Sequence, residues 1–426
     1  MRIGEVVSQF TARETALPDK EYKMAGVKWY AEGVFHRETV LGSGMSAKQV
    51  TPLVPGALSY NRLFAWKKSF AVVGREHEGL CVSSEFSQFM PDAERVLPDF
   101  LYLFCTLPKT IEAVNAASVG SAAVSRNRFK EEEFLKLEMP LPPRAEQRAI
   151  VERWRSAQAQ IAAATNLVEE IKTESAARFL ADLGLKAAPS SQMPKSFAIR
   201  WADMPTWSGS TAFKRLTIGD IYGGKFPVAR GHDFITEVCH GCSAPPSPVP
   251  TELEILKISA VTRGEFVPTE KKFAADNLRV REQFDLRKGD VLLCRTNGTL
   301  DHVGMSAIVP EDQSNFIFPD KVIRVRAKPE IIRPDYLWLV LQTPFLRDQI
   351  EAAARTAVGN YAIGGKNIWN FEVPLPPLEV QRKLVERVTA AWAEMARERA
   401  AAAQLRQTIA AEVEHMILGT RPLPES

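Results

Sequence analysis

The sequence predicts an α/β (α+β) fold: two globules of mixed sheet and helices, joined by two long antiparallel coiled-coil helices. Three observations predict it. A fourteen-residue segment occurs twice, at 140–153 (PLPPRAEQRAIVER) and 374–387 (PLPPLEVQRKLVER), with nine positions identical. Each copy follows a stretch of short strand-like runs, and each leads into a long helix with heptad spacing. A repeat of this length indicates two similar modules in tandem, which argues against most single-site enzymes.

The bulk composition indicates a multidomain protein of ordinary globular type. A chain of 426 residues is too long for one typical core, and 45% hydrophobic and 25% charged residues are usual for soluble domains. A net charge of +3 neither requires nor forbids a nucleic-acid partner, since a nearly neutral total can conceal a basic face. Five cysteines, no signal-peptide features and no long apolar run lead us to expect a cytoplasmic protein without a membrane segment.

Shorter matches extend the repeat through both modules. The matched segments are Ile3–Val6 with Ile218–Ile221, Gly56–Arg62 with Gly289–Arg295, Pro98–Leu103 with Pro334–Leu339, and Val119–Ser121 with Val358–Asn360. The first interval is 53 residues long in the first module and 71 in the second, whereas later intervals differ by at most three residues. We therefore expect a common scaffold with a variable region early in each module, although surface loops also vary without function.

The secondary-structure elements are predicted in the same order in each module. Short strands are expected at Val72–Val73, 290–293 and 322–326, and helices near 99–116 and 335–355. A last short strand, Leu135–Met139 or Asn370–Val373, then runs into Pro-Leu-Pro-Pro. Proline cannot continue a β-ladder but is tolerated at a helix start, so the motif predicts a switch from strand to helix.

Each copy of the motif is followed by a helix of about 40 residues, or roughly 60 Å at 1.5 Å per residue. Steps of three and four between apolar residues predict coiled-coil seams, which Glu398 and Glu412 interrupt in the second helix. Alanine clusters at 162–164 and 400–403 favour close antiparallel pairing, though alanine is also the best helix former. The seam residues are Ile150, Trp154, Ala157, Ile161, Ala164, Val168 and Ile171, and Leu384, Val388, Ala391, Met395, Ala402, Leu405, Ile409 and Met416.

We find no specific catalytic constellation in the sequence. It contains no P-loop, no GxGxxG after a strand, no GxSxG elbow and no Asn/Asp-Pro-Pro-aromatic tetrapeptide of the kind that DNA amino-methyltransferases carry. Cys239-His240-Gly241-Cys242, with His232 nearby, resembles half of a zinc site, but a structural zinc needs four ligands and no second pair exists. We therefore expect no catalytic residue and no metal site.

Polar clusters at matching places in the two modules are typical of a binding surface. Arg and Lys can bond guanine or phosphate, Asn can bond adenine, and Ser or Thr can reach phosphate. The alternative is a set of solvated loops in which Arg62 or Arg295 makes structural ion pairs. The candidate DNA-binding residues are Arg62, Trp66, Lys67, Lys68, Ser121, Arg126 and Arg128 in the first module, and Arg295, Asn297, Thr299, Asn360, Tyr361, Lys366 and Asn367 in the second.

These features together resemble the specificity (S) subunit of type I restriction-modification systems, over essentially the full chain. The carrying residues are Pro140–Pro143 with Glu146, Gln147 and Arg148, Pro374–Pro377 with Glu379, Gln381 and Arg382, the Gly-Asp-Val-Leu run at 289–292 and the Gly-Thr turn after Arg295-Thr296-Asn297. The second copy departs from the first at Val380, which stands where the first has Glu146. Because the motif occurs twice, each time before a long helix, it is a specific sign of this family.

The resemblance implies two target recognition domains, each reading one half of an asymmetric bipartite DNA site. Two conserved helices would fix the gap and dock two methyltransferase (M) subunits, and restriction/translocase (R) subunits could join the complex. S-adenosylmethionine, ATP and Mg²⁺ would be bound by these partner subunits and none by this chain, which would itself be non-catalytic. The residues implied for partner binding are Pro142, Pro143, Gln147, Arg148, Pro376, Pro377, Gln381 and Arg382.

The implied domain boundaries follow the repeat. The resemblance divides the chain into a first target recognition domain (1–139), a first helical spacer (140–186), a linker (187–197), a second target recognition domain (198–372), a second helical spacer (373–419) and a tail (420–426). Two alternatives remain open: a coiled-coil adaptor without DNA contact, and a nuclease or methyltransferase too divergent to show its motif.

Overall fold

The computed structural model of the protein describes residues 1–45, 48–118, 127–185, 221–243, 246–275, 278–357 and 359–420. The chain divides into two compact units. Unit 1 contains Met1–Asn166 and Glu398–Ser426, and unit 2 contains Leu167–Arg397. Each of the two long helices therefore contributes one half to each unit. Among the described residues, no helix combines the length and the apolar character needed to cross a membrane.

Unit 1 is built on a four-stranded antiparallel sheet with a second, five-stranded sheet beside it. The first sheet has the order β1-β9-β6-β7 and the second the order β2-β5-β8-β3-β4. The strands are β1 (Val7–Phe10), β2 (Glu14–Thr15), β3 (Glu21–Val27), β4 (Val34–Leu41), β5 (Gln49–Pro52), β6 (Leu58–Asn61), β7 (Phe70–Val72), β8 (Leu80–Val82) and β9 (Phe86–Pro91). The helices of this globule are α1 (Pro98–Thr106), α2 (Pro108–Ala117) and α3 (Glu131–Lys136).

An aromatic cluster forms the centre of the unit 1 core. Tyr60 on β6 is fully buried, and its ring centroid lies 6.0 Å from that of Phe89 and 5.3 Å from that of Phe134. Large aromatic side chains supply much buried apolar area per residue, which helps a small sheet to stabilise its packing. Burial raises the pKa of the Tyr60 hydroxyl far above its ordinary value, so this phenol stays neutral.

Unit 2 repeats the four-stranded sheet, in the order β11-β18-β14-β16, and adds three smaller sheets, β13-β12-β17, β15-β20-β19 and β10-β21. The strands are β10 (Val228–Arg230), β11 (Ile235–His240), β12 (Glu254–Leu256), β13 (Lys271–Phe273), β14 (Val291–Cys294), β15 (Thr296–Asn297), β16 (Ser306–Ile308), β17 (Phe316–Ile317), β18 (Val322–Ala327), β19 (Arg355–Ala357), β20 (Asn360–Ala362) and β21 (Glu372–Pro374). The helices are α5 (Gly231–Phe234), α6 (Leu278–Gln283), α7 (Pro334–Leu341), α8 (Pro344–Ala353) and α9 (Gly365–Trp369).

The two four-stranded sheets match in connectivity and register, and we call each one the framework sheet of its unit. In unit 1, Leu58 lies opposite both Val72 and Phe89. In unit 2, Val291 takes the same place opposite Ile308 and Val325. The repeated sequence marks Gly56–Arg62 and Gly289–Arg295 therefore form the same strand of the same sheet.

A different subdomain is inserted into each framework sheet, and we call it the insert of that unit. The insert of unit 1 (residues 11–57) forms most of the five-stranded sheet, with a small apolar core of its own that includes Tyr22, Met24 and Val50. The insert of unit 2 (residues 241–290) forms β12, β13 and α6 around a separate core that includes Leu253 and Phe284. The early variable region expected from the sequence thus corresponds to two unlike subdomains.

The long helices are α4 (Arg144–Asp182) and α10 (Leu378–Ile417), and they pair in antiparallel fashion within each unit. In unit 1, the first half of α4 meets the last half of α10, where Arg153 donates twice to Glu412 at 2.9 Å. In unit 2, Arg387 near the start of α10 pairs with Asp182 at the end of α4. The coiled-coil prediction is confirmed. Glu412 interrupts the apolar seam because its carboxylate, which lies within the seam, pairs with Arg153.

One predicted element is wrong. The segment Leu135–Met139 was expected to be a strand, but its first two residues end α3, and only Glu138 makes a bridge, to Arg2. Three glutamates in the first turn of α3 favour the helix, because acidic side chains stabilise a helix N-terminus. The predicted linker (187–197) and the tail residues 421–426 lie outside the described residues.

Candidate nucleic-acid interface

Arg62 is held firmly by the framework of unit 1. Its N–H donates to the Glu85 carbonyl and its own carbonyl accepts from the Phe129 N–H, both at 2.9 Å. Its guanidinium lies 3.5 Å from Glu131, and its side chain is 22% exposed. The structural alternative considered from the sequence is therefore realised here, and the charge of Arg62 is partly neutralised within the chain.

Arg128 is also paired. Its guanidinium donates to both oxygens of Glu85, at 2.8 and 3.0 Å, and these hydrogen bonds lower the pKa of the Glu85 carboxyl. Arg128 could reach DNA only by exchanging or sharing this partner. The other two candidates of this segment, Ser121 and Arg126, lie outside the described residues.

Lys67 and Lys68 remain without an ion-pair partner in the described part of unit 1. The Lys67 ammonium lies 3.8 Å from the centroid of the Trp29 ring, a cation–π contact that leaves its charge unneutralised. Trp66 behaves differently, because its ring packs against the core and its Nε1–H donates to the Leu63 carbonyl. Of the first cluster, the two lysines are thus the best placed to bind an anion.

Sequence reasoning missed an exposed aromatic turn beside these lysines. Trp29 is 41% exposed and Tyr30 is 67% exposed, at the tip of the β3–β4 hairpin. Tyr30 and Ala31 have φ values of 57° and 63°, a left-handed conformation that costs non-glycine residues about 1 kcal/mol each. Two hydrogen bonds hold this turn, from the Ala31 N–H to the Lys68 carbonyl and from the Tyr102 hydroxyl to the Ala31 carbonyl, both at 2.9 Å.

Lys68 is itself in the left-handed region, with φ 59°. The matching position in unit 2, two residues before the equivalent strand, is Gly304 with φ 77°. A lysine thus occupies a strained conformation for which the other module uses glycine. This indicates that the lysine side chain has a role that offsets the strain. We call Lys28, Trp29, Tyr30, Lys67 and Lys68 the Tyr30 surface.

An open groove of about 730 Å³ lies beside the Tyr30 surface, within unit 1. Tyr30 and Lys68 line one side, and Trp154 and Arg406 from the helix pair line the other. Only an asparagine or glycine pair would have marked such a turn in the sequence, because these residues favour positive φ in hairpins. Lys-Trp-Tyr-Ala-Glu carries no such signal, which explains the omission.

In unit 2 the fold brings most of the second candidate cluster together. Asn297 on β15 lies directly opposite Tyr361 on β20, and Asn360 precedes Tyr361 on the same strand. Arg295 is held as Arg62 is: its N–H donates to the Lys321 carbonyl at 2.8 Å, and its carbonyl accepts from the Ile363 N–H at 3.0 Å. Both arginines also bury an Nε–H that has no hydrogen-bond partner among the described residues.

The side chains of this second cluster differ in whether they already make hydrogen bonds within the chain. The Asn297 side-chain oxygen accepts from the Thr299 N–H, and that of Asn367 accepts from the Gly364 N–H, so both cap local turns. Thr299, Asn360 and Lys366 are exposed. These three are therefore free to contact a ligand, whereas Tyr361 is half-buried against the core.

The repeated glutamines that follow the Pro-Leu-Pro-Pro motifs each make three buried hydrogen bonds to backbone groups, and we call each of these glutamines a latch. Gln147 is fully buried; its side-chain oxygen accepts from the Leu97 N–H and its amide donates to the Arg95 and Pro142 carbonyls, all at 2.9 Å. Gln381 is equally buried and makes the same three bonds, with the Arg333 N–H and the Ile331 and Pro376 carbonyls.

This burial corrects the expectation that Gln147 and Gln381 bind a partner, because neither side chain reaches the surface. Pro376 is buried as well. Pro142 is half-buried, and Pro143 and Pro377 are exposed.

The two motif arginines are both exposed but differ in charge balance. Arg382 donates to Glu379 and Glu386, whereas Arg148 has no ion-pair partner among the described residues. Of the residues implied for partner binding, Arg148, Pro143 and Pro377 are thus the most available.

The segment Cys239-His240-Gly241-Cys242, which resembles half of a zinc site, has no supporting cluster among the residues that the structure describes. No group of three or more His, Cys, Asp or Glu side chains is placed there to hold a metal ion, and all five cysteines are free thiols. Burial, and after it the charge of Arg295, lowers the pKa of His240 below its ordinary value.

Residues 251–405 match the family described as the type I restriction modification DNA specificity domain. The chain is similar to the type I restriction enzyme EcoKI specificity subunit of Escherichia coli strain K12, with 28% identity over 64% of this chain and 54% of that protein. It is also similar to the StySPI specificity subunit of Salmonella potsdam, with 24% identity over 75% of this chain and 65% of that protein. The chain spans about half the length of the EcoKI protein that it matches.

A solved structure shares the fold of the whole chain. Its title is "Structural basis underlying complex assembly and conformational transition of the type I R-M system"; it is 16% identical, with a TM-score of 0.61 over 98% of this chain and 96% of that one. This structure confirms the predicted fold class, whereas the family match and the similarity to the EcoKI subunit confirm the resemblance to type I specificity subunits.

Proposed function

We propose that this chain, whose residues 251–405 belong to the type I restriction modification DNA specificity domain, is the DNA-binding specificity subunit of a type I restriction-modification complex. Each unit would read one half of a bipartite DNA site, and the paired helices would set the gap between the halves. The observation that carries this proposal is the framework sheet that occurs twice with a different insert on each copy.

The unlike inserts support an asymmetric site. A framework that is repeated in register presents its insert in the same way each time, so two identical inserts would read the same bases. Here one insert supplies four strands of a five-stranded sheet, and the other combines two short strands with a helix. Different side chains would then meet the base edges in the two half-sites, and direct readout of bases depends on those side chains.

The free polar groups support DNA as the ligand. Lys67, Lys68 and Lys366 have no ion-pair partner in the described residues and can neutralise phosphates, while Asn360 and Thr299 can bond base edges. Each neutralised phosphate should steepen the dependence of log affinity on log salt concentration by about 0.9. We therefore expect Lys67→Ala with Lys68→Ala to weaken DNA binding by the complex and to flatten its salt dependence.

The proposed partners are two methyltransferase subunits, docked on the helical regions that begin with the Pro-Leu-Pro-Pro motifs. Arg148, Pro143 and Pro377 are the motif residues available for this contact. The partner subunits would bind S-adenosylmethionine and modify an adenine taken out of the duplex. ATP and Mg²⁺ would belong to restriction subunits, and this chain would perform no chemistry.

Reconstitution tests the proposal. Transfer of labelled methyl groups from S-adenosylmethionine to DNA should require both this chain and the methyltransferase subunit encoded with it, and should be selective for sequence. Methylation or cleavage by this chain alone would indicate a divergent enzyme. A stable complex that methylates without any sequence preference would indicate an adaptor.

A further inference from the structure

Two buried polar residues occupy the same position in the two framework sheets. Gln88 on β9 lies opposite Ser59 on β6, and Arg324 on β18 lies opposite Leu292 on β14. In each sheet this residue pair follows directly after the pair that begins the central strand, Leu58 with Phe89 or Val291 with Val325. Each of the two side chains is buried, with 1% exposed. Nothing in the sequence relates a glutamine to an arginine, so this equivalence is visible only in the fold.

Both side chains bind the same point of the backbone. The Gln88 amide donates to the Pro52 carbonyl at 2.8 Å, and the Arg324 guanidinium donates to the Asp285 carbonyl. Pro52 stands six residues before Leu58, the first residue of β6, and Asp285 stands six residues before Val291, the first residue of β14. Two chemically different donors thus hold one carbonyl of the repeated scaffold.

This carbonyl lies where each insert returns to its framework sheet. Pro52 is the last residue of β5, a strand of the insert sheet of unit 1. Asp285 follows α6 of the unit 2 insert, between the buried residues Phe284 and Leu286. In unit 1 the Gln88 side-chain oxygen also accepts from the Val54 N–H at 3.0 Å, so the returning segment is held at two points.

In unit 2 the anchor is a partly buried ionic network, centred on the buried Arg324, that holds both ends of the insert. Arg324 pairs with Glu237 at 2.6 Å and with Asp285 at 3.2 Å. Arg326 pairs with the same two carboxylates at 3.0 Å each and with Asp290 at 2.8 Å. Glu237 lies on β11, the strand after which the insert begins, whereas Asp285 and Asp290 lie where it ends.

A need for stability alone does not explain these anchors. Well-packed apolar side chains often stabilise a core as well as a buried ion pair, whereas directional bonds can select one arrangement among several. Both anchors act at the junction between a constant sheet and a variable insert. These bonds are therefore in a position to fix the orientation of the insert as well as to support the sheet.

We propose that Gln88 and Arg324 are equivalent positioning residues, each of which fixes the orientation of its recognition insert and so sets selectivity for one half-site. Neither residue contacts DNA. This inference rests on the proposed function, and it predicts that each substitution alters selectivity at one half-site only. Loss of one anchor changes the bases accepted on one side of the gap and leaves the other side unchanged.

The matched test replaces each anchor by methionine, which fills the space but forms no comparable hydrogen bond. In unit 2, Arg326 still pairs with all three carboxylates in Arg324→Met. For each variant complex, methylated adenines are mapped on genomic DNA. We expect Gln88→Met to raise methylation about tenfold at sites with one mismatch in one half, and Arg324→Met to do so for the other half, since a mismatch ordinarily costs a factor of about ten.

Hydrogen–deuterium exchange supplies a second readout that does not depend on activity. Exchange should rise in β3 to β5 for Gln88→Met and in β12 and β13 for Arg324→Met, with the framework strands unchanged. Wild-type selectivity in both variants, or an equal loss of methylation at all sites, would overturn the inference. If the wild-type complex recognised no split site, the proposed function would fail, and the exchange data would still decide whether the residues anchor the inserts.

Discussion

Removing the Gln147 latch should destabilise unit 1 far more than removing the exposed residue next to it. Gln147→Met keeps the side-chain volume but takes away one acceptor and two donors. The Leu97 N–H and the Arg95 and Pro142 carbonyls then lose their partners at 2.9 Å. Because Gln147 is fully buried, water cannot replace these bonds without opening the start of α4.

The expected loss follows from the number of bonds. A neutral hydrogen bond contributes about 1 kcal/mol net, and a buried backbone group left without a partner costs about 1–3 kcal/mol. Three bonds, with partial relaxation of the chain around them, predict a decrease of about 3–4 kcal/mol in the free energy of unfolding. The control Arg148→Ala removes an exposed side chain that makes no ion pair with the residues the structure describes, and it should stay within about 0.5 kcal/mol of the wild type.

Urea-induced unfolding measures the change, and native-state hydrogen exchange locates it. Protection should fall in α1 (98–106) for Gln147→Met and in α7 (334–341) for the twin variant Gln381→Met. If Gln147→Met is as stable as Arg148→Ala, or if its loss of protection is spread evenly over both units, Gln147 does not hold the start of α4 as described.

Three further outcomes follow from the site and the helix pair. Tyr30→Ala should weaken DNA binding by the assembled complex about tenfold in fluorescence anisotropy, since burial of an aromatic side chain against the DNA contributes about 1.5–3 kcal/mol, while Tyr30→Phe should bind as the wild type does. Glu412→Ala should destabilise unit 1 by about 2 kcal/mol in urea, because it leaves the half-buried Arg153 without its two charge-assisted bonds. Arg128 lowers the pKa of Glu85, so this pair should stabilise the fold above the ordinary Glu pKa and lose its effect as the pH falls through the lowered value; the acid side of the stability curve should be flatter in Arg128→Ala.

The long helices were predictable because their pattern is local and repeated. Residues that step by three and four face one side of a helix, and Ile150, Ile161 and Val168 are buried as that pattern requires. The framework strands were predictable for a similar reason, since Gly56–Arg62 and Gly289–Arg295 both place a short strand-like run after a glycine turn, with φ 86° at Gly56 and 88° at Gly289. The antiparallel pairing followed from the need to bury two seams.

The roles of individual polar residues were less predictable, because they depend on contacts distant in sequence. From the sequence alone, a repeated glutamine could equally contact a partner or make internal hydrogen bonds. Only the burial of Gln147 decides between these two roles. The pairing of Arg62 with Glu131 spans 69 residues and leaves no local signal. Tyr30 was missed because its left-handed turn lacks the residue types that usually mark one.

The equivalence of Gln88 and Arg324 could not have been found from the sequence at all. The two residues differ in size and charge, and their common role depends on the register of two separate strand pairs. What is repeated is the carbonyl that each one binds, six residues before the same strand. A backbone position of this kind is encoded by the fold and leaves the choice of side chain open.

The proposed function requires each unit to read one half of a split DNA site. The most direct measurement is to express this chain with its methyltransferase subunit in a host that lacks other adenine methylation, and to map the modified adenines by single-molecule sequencing. We expect one new motif, made of two short and different base sequences separated by a gap of fixed length. A continuous motif, a gap of variable length, or no new methylation from a stable complex would contradict the claim.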